Sequence, residues 1–288
     1  MKARNFRYIR PFSLQHALQV LADAGDDAVA IAGGQSLLAG LNMRLSAPKL
    51  LVDIGNLTEL AGQSYAGGTV RMGALTRHRE LIESELIGTH VPLLALAAPH
   101  VGHIAIRNRG TLGGSLAYAD PAAELPACLV ALDATFVLCS RSGEREVAAR
   151  DFYKGLFETD LRAGELIAAV KVAAAQAGMA YGFAELARRH GDFALVGLAA
   201  VAAMRDERIR LARLVYLGCA DCARVAHAVS AAVAGLPLPV RDARALDSAI
   251  RQDLSPQDSP GLRADTKRRL AAVVTTRVLN SLTQWQPP

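Results

Sequence analysis

Two glycines follow directly on a short apolar stretch near the start of the chain, in the segment Ala32–Ser36 (AGGQS). A diphosphate needs several backbone N–H donors that converge without side chains in the way, and paired glycines at the end of a strand supply them. The start of a helix adds its positive dipole end. Ser36 could offer its hydroxyl to a phosphate oxygen. The alternative is a tight strand-to-helix turn in which Ser36 only caps the helix.

A second glycine-rich segment, Arg107–Ser115, places three glycines within five residues and interleaves them with Thr and Ser hydroxyls. This composition again suits the close approach of an anionic ligand. The carboxylate of Glu124, further along the chain, could accept hydrogen bonds from sugar hydroxyls. The alternative is a glycine-rich surface loop without a ligand. The sequence contains neither a Walker A motif nor a Rossmann fingerprint.

Two pairs of potential metal or redox ligands are weaker candidates. Cys219 and Cys222 have CxxC spacing, but a zinc site needs two more ligands and only His227 lies nearby in the sequence. His100 and His103 lack a third His or a carboxylate at suitable spacing. We therefore predict that neither pair forms a site. No Ser/His/Asp set and no pair of carboxylates indicates hydrolysis.

Composition limits the classes of protein to which the chain can belong. Its 288 residues suit two or three compact units, and with 51% apolar but only 5% aromatic residues we expect a core of Ala, Val and Leu. The net charge of +5 is spread along the chain, which argues against nucleic-acid binding. The four cysteines do not indicate a disulfide framework. Because no apolar run could span a bilayer and no secretory signal is recognisable, we predict a cytoplasmic protein.

The elements around the first glycine segment alternate between strand and helix. A predicted strand over 6–9 precedes a helix that Ser13 is placed to cap. A β run over 28–32 stops at the glycine pair, a helix over 37–44 follows, and another strand covers 49–54. The first fifty-five residues are therefore predicted to form a β-α-β-α-β unit.

The middle of the chain mixes short strands with several helices. Residues 104–115 are predicted to be irregular because glycines interrupt them. The other predicted elements of this part are strands at 69–73, 135–139 and 165–172 and helices at 78–84, 93–98 and 122–132.

A linker of small residues, Ala173–Gly178, has little side chain to pack, and we place a domain boundary there. Beyond it, three β-like runs precede two helical stretches, which predicts an α+β domain whose antiparallel sheet carries helices on one face. The β-like runs cover 181–186, 194–204 and 210–219, and the helices cover 223–234 and 266–282. The predicted units are 1–56, 57–175 and 176–288.

The order of the two glycine segments resembles that of a known family. Thr111 of the second segment follows Ser36 of the first by 75 residues. The tripeptide Ala119-Asp120-Pro121 and then Glu124 come after it. Together with Gly73–Thr76 and Arg188–Ala194, this order is similar to the FAD-binding medium subunits of molybdenum hydroxylases. That family includes carbon monoxide dehydrogenase and bacterial xanthine dehydrogenase-like enzymes. The resemblance covers nearly the whole chain.

The resemblance implies an α+β fold with an FAD-binding domain of the vanillyl-alcohol-oxidase type. Two α+β subdomains would hold the flavin between them, and a C-terminal α+β domain would follow. FAD would be bound non-covalently, because Gln35 fills the middle of the first segment where an attachment would need His or Cys. The implied cofactor contacts are Ala32, Gly33, Gly34, Gln35, Ser36, Leu37, Val101, Thr111, Gly113, Gly114, Ser115, Asp120, Glu124, Leu166 and Phe193.

Within that set, both glycine segments would wrap the diphosphate, while Leu166 and Phe193 would lie near the flavin ring. Some positions depart from the family's pattern. Phe193 stands where some relatives carry Tyr, so the ring is kept and the hydroxyl is lost. Glu185, after Ala184, stands where many relatives carry a lysine near the flavin, and His103 stands where Gln is common. We predict no iron–sulfur cluster in this chain, because the cysteine-bearing insertion of some relatives is missing.

The resemblance implies an oxidoreductase subunit that contributes FAD contacts and no catalytic residue. A large partner subunit would oxidise the substrate at a molybdenum centre, and a small partner would pass electrons through [2Fe–2S] clusters to the FAD. The external acceptor could be NAD⁺, a quinone, a cytochrome or O₂. Two alternatives stay open: a self-contained flavin oxidoreductase on the same scaffold, which needs its own substrate pocket, and a non-enzymatic module that binds a nucleotide or a partner through the glycine segments.

Overall fold

The chain folds into an α+β protein with three main sheets and a two-stranded ribbon. The structure is a computed structural model and describes residues 2–240 and 243–284. Each main sheet is made from one continuous part of the chain, so the three sheets follow one another along the sequence. The predicted α+β class is therefore confirmed.

The first part of the chain forms a small parallel sheet with two helices. Its elements are β1 (Arg7–Ile9), α1 (Leu14–Ala24), β2 (Ala28–Ile31), α2 (Leu37–Asn42) and β3 (Leu50–Asp53). The strands lie in the order β1-β3-β2, and both pairs are parallel. The hydroxyl of Ser13 accepts a hydrogen bond from the backbone N–H of His16 at 3.1 Å, as predicted for the cap of α1. The predicted β-α-β-α-β order is confirmed.

The second part forms an antiparallel sheet with helices inserted between its strands. Its elements are β4 (Gln63–Ala66), β5 (Thr69–Gly73), α3 (His78–Glu83), α4 (Glu85–His90), α5 (Pro92–Ala97), α6 (Ile104–Arg107), α7 (Leu112–Tyr118), α8 (Glu124–Ala131), β6 (Thr135–Ser140), β7 (Gly143–Ala148), α9 (Ala149–Phe152), β8 (Tyr153–Gly155), β9 (Glu158–Thr159) and β10 (Leu166–Ala173). The sheet order is β4-β5-β10-β6-β7, and β8 and β9 form the ribbon. Helices α3–α8 lie between β5 and β6 in the chain. The second glycine segment, at the start of α7, contacts the residues just after β5.

Two predictions for this part were wrong. Residues 104–115 are not irregular, because α6 lies within them and α7 begins at Leu112. The hydroxyl of Thr111 accepts a hydrogen bond from Gly114 N at 3.1 Å, and this cap starts α7 in spite of the glycines. Helix α8 begins at Glu124 and not at Ala122, since the Asp120 carboxylate accepts a hydrogen bond from Ala122 N and holds a turn there.

The third part forms an antiparallel sheet in which both faces are covered. Its elements are β11 (Met179–Leu186), β12 (Val196–Arg205), β13 (Arg208–Leu217), α10 (His227–Val233), α11 (Asp247–Asp253), α12 (Ala264–Asn280) and β14 (Thr283–Gln284). The strand order is β13-β12-β11-β14. Among the described residues, no helix has the length and apolar character required to cross a membrane.

Strand β12 shows that helices cover both faces of this sheet: α10 and α12 of the third part lie on one face, as predicted for this domain, and α5 and α8 of the second part lie on the other. Leu198 and Ala200 pack into the core formed with α10 and α12, whereas Ala199 and Val201 on the opposite face pack into the core formed with α5 and α8 of the second part. A strand buried on both faces reads as a continuous apolar run and not as an alternation. The core therefore continues from the second part of the chain into the third.

Candidate cofactor-binding site

A cleft with a volume of about 650 Å³ is lined by residues from all three parts of the chain. It runs past the loop between β2 and α2, the start of α7, the strand β10 and the loop between β11 and β12. All fifteen residues that the resemblance implied as cofactor contacts line it: Ala32, Gly33, Gly34, Gln35, Ser36, Leu37, Val101, Thr111, Gly113, Gly114, Ser115, Asp120, Glu124, Leu166 and Phe193.

The loop Ala32–Leu37, which we call the first loop, presents free backbone amides at the cleft. The N–H groups of Gly34, Gln35 and Ser36 donate to none of the residues that the structure describes. Gly34 adopts a left-handed φ of 72°, and the side-chain amide of Gln35 donates to Gly33 O at 2.9 Å, which closes the loop on itself. Ser36 makes no capping hydrogen bond to α2. Unpaired amides at a helix start form a binding site for an anion.

The first loop packs tightly against the second glycine segment. A Cβ atom on Gly33 would collide with the backbone carbonyl oxygen of Arg109 and lie 2.9 Å from the Cα of Gly110. The guanidinium of Arg77, just before α3, donates to the same carbonyl oxygen. Only glycine at position 33 therefore allows the two glycine segments to meet at one end of the cleft.

The loop Gly110–Ser115, which we call the second loop, has most of its amides already engaged. Leu112 N donates to Thr76 O at 2.8 Å, and Gly113 N donates to Ala74 O at 2.8 Å. A Cβ atom on Gly113 would lie 2.6 Å from the Cβ of Ala74, so this glycine lets the start of α7 touch the chain just beyond β5. No described residue hydrogen-bonds to the hydroxyl of Ser115, which faces the cleft.

A buried histidine supports the second loop from below. His78 Nε2 lies 2.9 Å from Thr111 O, while no described residue pairs with its buried Nδ1. Burial lowers the pKa of His78 to about 4, and the positive charges of Arg77 and Arg107 add to the effect, whereas the contact with Thr111 opposes it. His78 is therefore neutral at pH 7 and donates from Nε2.

Two carboxyl groups lie at the floor of the cleft. Glu124 is only 7% exposed, and burial is the main reason that its pKa rises to about 7. Burial also raises the pKa of Asp120, although the hydrogen bond from Ala122 N opposes this. A carboxyl group that is neutral for part of the time can donate a hydrogen bond as well as accept one.

The loop between β11 and β12 supplies the mouth of the cleft. Phe193 is 70% exposed and lines the opening. Gly191 has a left-handed φ of 87°, and a Cβ atom there would lie 2.5 Å from the ring of His103. The loop therefore rests on His103.

The structure also shows lining residues that the sequence reasoning missed. His78 and Tyr118 line the cleft, as does the loop 161–165 before β10. His78 comes two residues after the Gly73–Thr76 stretch, which is part of the resemblance. Its place at the cleft could therefore have been predicted from the sequence. Nothing in the local sequence distinguishes the loop 161–165, because its place at the cleft follows from the position of β10.

The cysteine and histidine pairs do not converge on a site. Cys219 packs in the core around α10 and α12, while Cys222 packs with Tyr153 in the core of the second part. His100 contacts Glu185, whereas His103 contacts the loop at Gly191. Among residues 2–240 and 243–284, no three His, Cys, Asp or Glu side chains are grouped so that they could hold a metal ion.

The cleft fits the FAD that the resemblance implies. The free amides of the first loop suit a diphosphate. Further along the cleft, Glu124 and Ser115 offer polar groups to the hydroxyls of the ligand. Gly33 and Gly113 let the two loops and the start of α7 pack closely, which sets the shape of this end of the cleft. These features are properties of the chain itself.

Two family models match the chain in succession. The FAD binding domain in molybdopterin dehydrogenase matches residues 4–174, and the CO dehydrogenase flavoprotein C-terminal domain matches residues 181–282. Together the two models cover most of the chain.

Individual relatives agree with these matches. The chain is 45% identical to the 6-hydroxypseudooxynicotine dehydrogenase complex subunit alpha of Paenarthrobacter nicotinovorans, over 76% of this chain and 74% of the relative. It is 35% identical to caffeine dehydrogenase subunit beta of Pseudomonas sp. strain CBB1, over 97% of this chain and 95% of the relative. The fold matches a chain of carbon monoxide dehydrogenase from Hydrogenophaga pseudoflava with a TM-score of 0.93, at 34% identity and 98% coverage of both chains.

Proposed function

Because this chain belongs to the FAD-binding medium subunits of molybdenum hydroxylases, we propose that it is the electron-relay subunit of such a complex. It would receive electrons from [2Fe–2S] clusters of a small partner subunit and deliver them to an external acceptor. Substrate oxidation would take place at a molybdenum centre in a large partner subunit. FAD, when bound, supplies the ability to accept and release electrons.

The observation that carries the proposal is the pair of glycine loops at one end of one cleft. The free amides of Gly34, Gln35 and Ser36 would bind the cofactor's diphosphate. Ser115 and Glu124 would orient its hydroxyls, and Phe193 would cover the flavin end at the mouth. The fifteen lining residues would thus hold the cofactor while one edge remains open to partners.

The names of the relatives favour a relay over a self-contained enzyme. The cleft is lined by the amides and hydroxyls of the two loops and by titratable side chains that include His78, Tyr118, Asp120, Glu124 and Glu165. A self-contained oxidoreductase would need a substrate pocket in which a base or an acid is placed over the flavin. The relatives described above are also named as subunits.

The proposal can be tested by coexpressing the chain with its partner subunits. We expect the purified complex to show the visible absorption of oxidised flavin, which bleaches when a reducing substrate of the large subunit is added. Absence of flavin from every preparation would refute the proposal. Substrate turnover by the chain alone would favour the self-contained oxidoreductase, and stable flavin that no electron donor reduces would favour the binding module.

The cytoplasm remains the predicted location of the complex. Cell fractionation with an antibody against the chain would check this, with a cytoplasmic and a periplasmic marker enzyme measured in the same fractions. Recovery of the chain with the periplasmic marker would contradict the prediction.

A further inference from the structure

An arginine on β7 binds two carboxylates behind one wall of the cleft. The guanidinium of Arg145 forms two parallel hydrogen bonds to Glu165, from Nε to Oε1 at 2.7 Å and from Nη2 to Oε2 at 2.7 Å. Its Nη1 donates to the Asp160 carboxylate at 2.7 Å, and Nη2 also donates to Asp160 O at 2.6 Å. A planar guanidinium bound in this way fixes both the distance and the orientation of its partners. We call Arg145, Asp160 and Glu165 the clamp.

The clamp holds the loop 161–165, and this loop lines the cleft. Glu165 Oε2 also accepts a hydrogen bond from Arg162 N at 2.9 Å, which closes the loop on itself. Gly164 has a left-handed φ of 79°, and a Cβ atom on it would lie 3.3 Å from the Cα of Ala22 in α1. The loop therefore contacts the first part of the chain on one side, while the clamp holds it from the second part.

The clamp is shielded enough from water for its ion pairs to matter. The side chain of Glu165 is 8% exposed and that of Arg145 is 24% exposed, whereas fully exposed ion pairs contribute little. Burial raises the pKa of Glu165, but the hydrogen bonds from Arg145 and from Arg162 N prevail and lower it, so the carboxylate is ionised at neutral pH. Among the described residues, no other basic side chain forms an ion pair with Glu165, whereas Asp160 also contacts Lys154 Nζ at 3.2 Å.

We propose that Arg145 is a positioning residue for the cofactor: through Glu165 it fixes the loop 161–165 as a wall against which FAD binds. This inference rests on the proposed placement of FAD in the cleft. Both oxygens of Glu165 accept hydrogen bonds from the chain itself, so this carboxylate sets the position of the loop and is not a free base over the flavin. Without the clamp, FAD would have to order the loop on binding, and this cost lowers the affinity.

The first test measures FAD affinity. The full chain, purified with the partner subunits with which it assembles, is stripped of FAD and titrated with FAD while flavin fluorescence is followed, at a temperature at which each variant is folded. We expect the affinity of Arg145→Gln to fall about tenfold. Arg145→Lys keeps the charge but cannot form the two parallel hydrogen bonds, so its loss should be smaller.

The matched control is a second arginine of the same part of the chain. Arg150 Nη1 lies 2.7 Å from Asp133 Oδ1, and neither residue lines the cleft. Arg150→Gln therefore removes an arginine–carboxylate pair without touching the loop 161–165, and it should bind FAD as the parent does. Equal losses in Arg145→Gln and Arg150→Gln would overturn the inference.

A double variant shows whether Arg145 acts through the glutamate. Glu165→Gln alone should also weaken FAD binding, because the parallel hydrogen bonds are lost. In that background, Arg145→Gln should lower the affinity by at most about threefold, since its main contact with the loop is already gone. If the tenfold loss persists in full beside Glu165→Gln, Arg145 acts by another route and the inference is wrong.

Trypsin reports on the loop in the flavin-free protein. Arg162 is exposed, so cleavage after it, followed by mass spectrometry, should be slow in the parent and in Arg150→Gln but faster in Arg145→Gln. Cleavage after Arg189, an exposed residue of the loop between β11 and β12, should proceed at the same rate in all three. Faster cleavage after Arg162 with unchanged FAD affinity would show that the loop is held but does not position the cofactor. If the parent complex binds no FAD, the proposed function itself fails, whatever the cleavage shows.

Discussion

The two glycine loops look alike in sequence but do different work in the structure. In the first loop, the amides of Gly34, Gln35 and Ser36 have no acceptor within the described part of the chain, and Ser36 does not cap α2. In the second loop, the amides of Leu112 and Gly113 are tied to the chain beyond β5, and Thr111 caps a helix. The first loop is therefore an open set of donors, whereas the second is mainly a packed junction.

This difference shows that a glycine can be required for two separate reasons. Gly33 allows the two loops to touch at the cleft, while Gly113 allows the start of α7 to touch Ala74. Replacing a glycine of the first kind should lower the affinity for the ligand, and replacing one of the second kind should lower the stability of the fold. The two effects can be separated by experiment.

The largest effect is expected for Gly33→Ala. The new Cβ collides with the backbone carbonyl of Arg109, which cannot move away by rotating a side chain, so the loops must separate. We expect FAD affinity to fall about a thousandfold, or about 4 kcal/mol, in a fluorescence titration. Gly40→Ala, in α2 with open space around it, is the control and should bind FAD normally. Normal binding by Gly33→Ala would remove the distinction between the loops.

The histidine below the second loop should make stability depend on pH. The folded-state pKa of His78, about 4, lies below its ordinary value of 6.5, so the native state binds fewer protons between these two pH values. The contribution of His78 to the free energy of unfolding is therefore fully present above pH 6.5. It is lost as the pH falls towards 4, and the loss amounts to up to about 3 kcal/mol. Denaturant unfolding at several pH values should show this loss in the parent and a smaller one in His78→Gln. Equal losses in both proteins would contradict the prediction.

Gly113→Ala should act on stability and spare the ligand. Its Cβ would overlap that of Ala74, and overpacking of this kind lowers the free energy of unfolding by about 1–3 kcal/mol. The fraction that stays folded should still bind FAD with an affinity close to that of the parent. Gly88→Ala, in α4 with nothing nearby, should instead be slightly more stable than the parent. A large loss of FAD affinity in Gly113→Ala would show that the second loop also contacts the diphosphate closely.

The smallest effects compare the two hydroxyl residues at the helix starts. Thr111→Ala removes a capping hydrogen bond and should lower the free energy of unfolding by about 1 kcal/mol. Ser36→Ala removes no cap, so the unfolding midpoint should stay unchanged while FAD affinity falls about fivefold. Calorimetry and fluorescence titration on both variants measure the two quantities side by side. An unfolding midpoint lowered by Ser36→Ala would mean that its hydroxyl stabilises α2 after all.

Most elements of the fold could be predicted because their signals are local. Ser13 caps α1 as predicted, and the strand over 28–31 ends at the glycine pair. The prediction was wrong for residues 104–115, where a threonine cap outweighs the glycines. For the third sheet it gave the domain's own helices on one face, but the local sequence carried no sign that helices of the preceding part cover the other face. The predicted boundaries after residues 56 and 175 remain predictions. Limited proteolysis would test both boundaries. The test is of most interest at the second boundary, because the core continues across it.

The sequence by itself determined the family and the order of most elements, because glycines, caps and apolar periodicity are read within a few positions. Through the resemblance it also implied fifteen of the residues that line the cleft. Only the tertiary structure decided which of those residues have free donors. Ala74 and Thr76 accept hydrogen bonds from the amides of the second loop from more than thirty positions away, while none of the described residues accepts from those of the first. The raised pKa of Glu124 likewise comes mainly from its burial in the folded chain, and burial acts through space and not along the sequence.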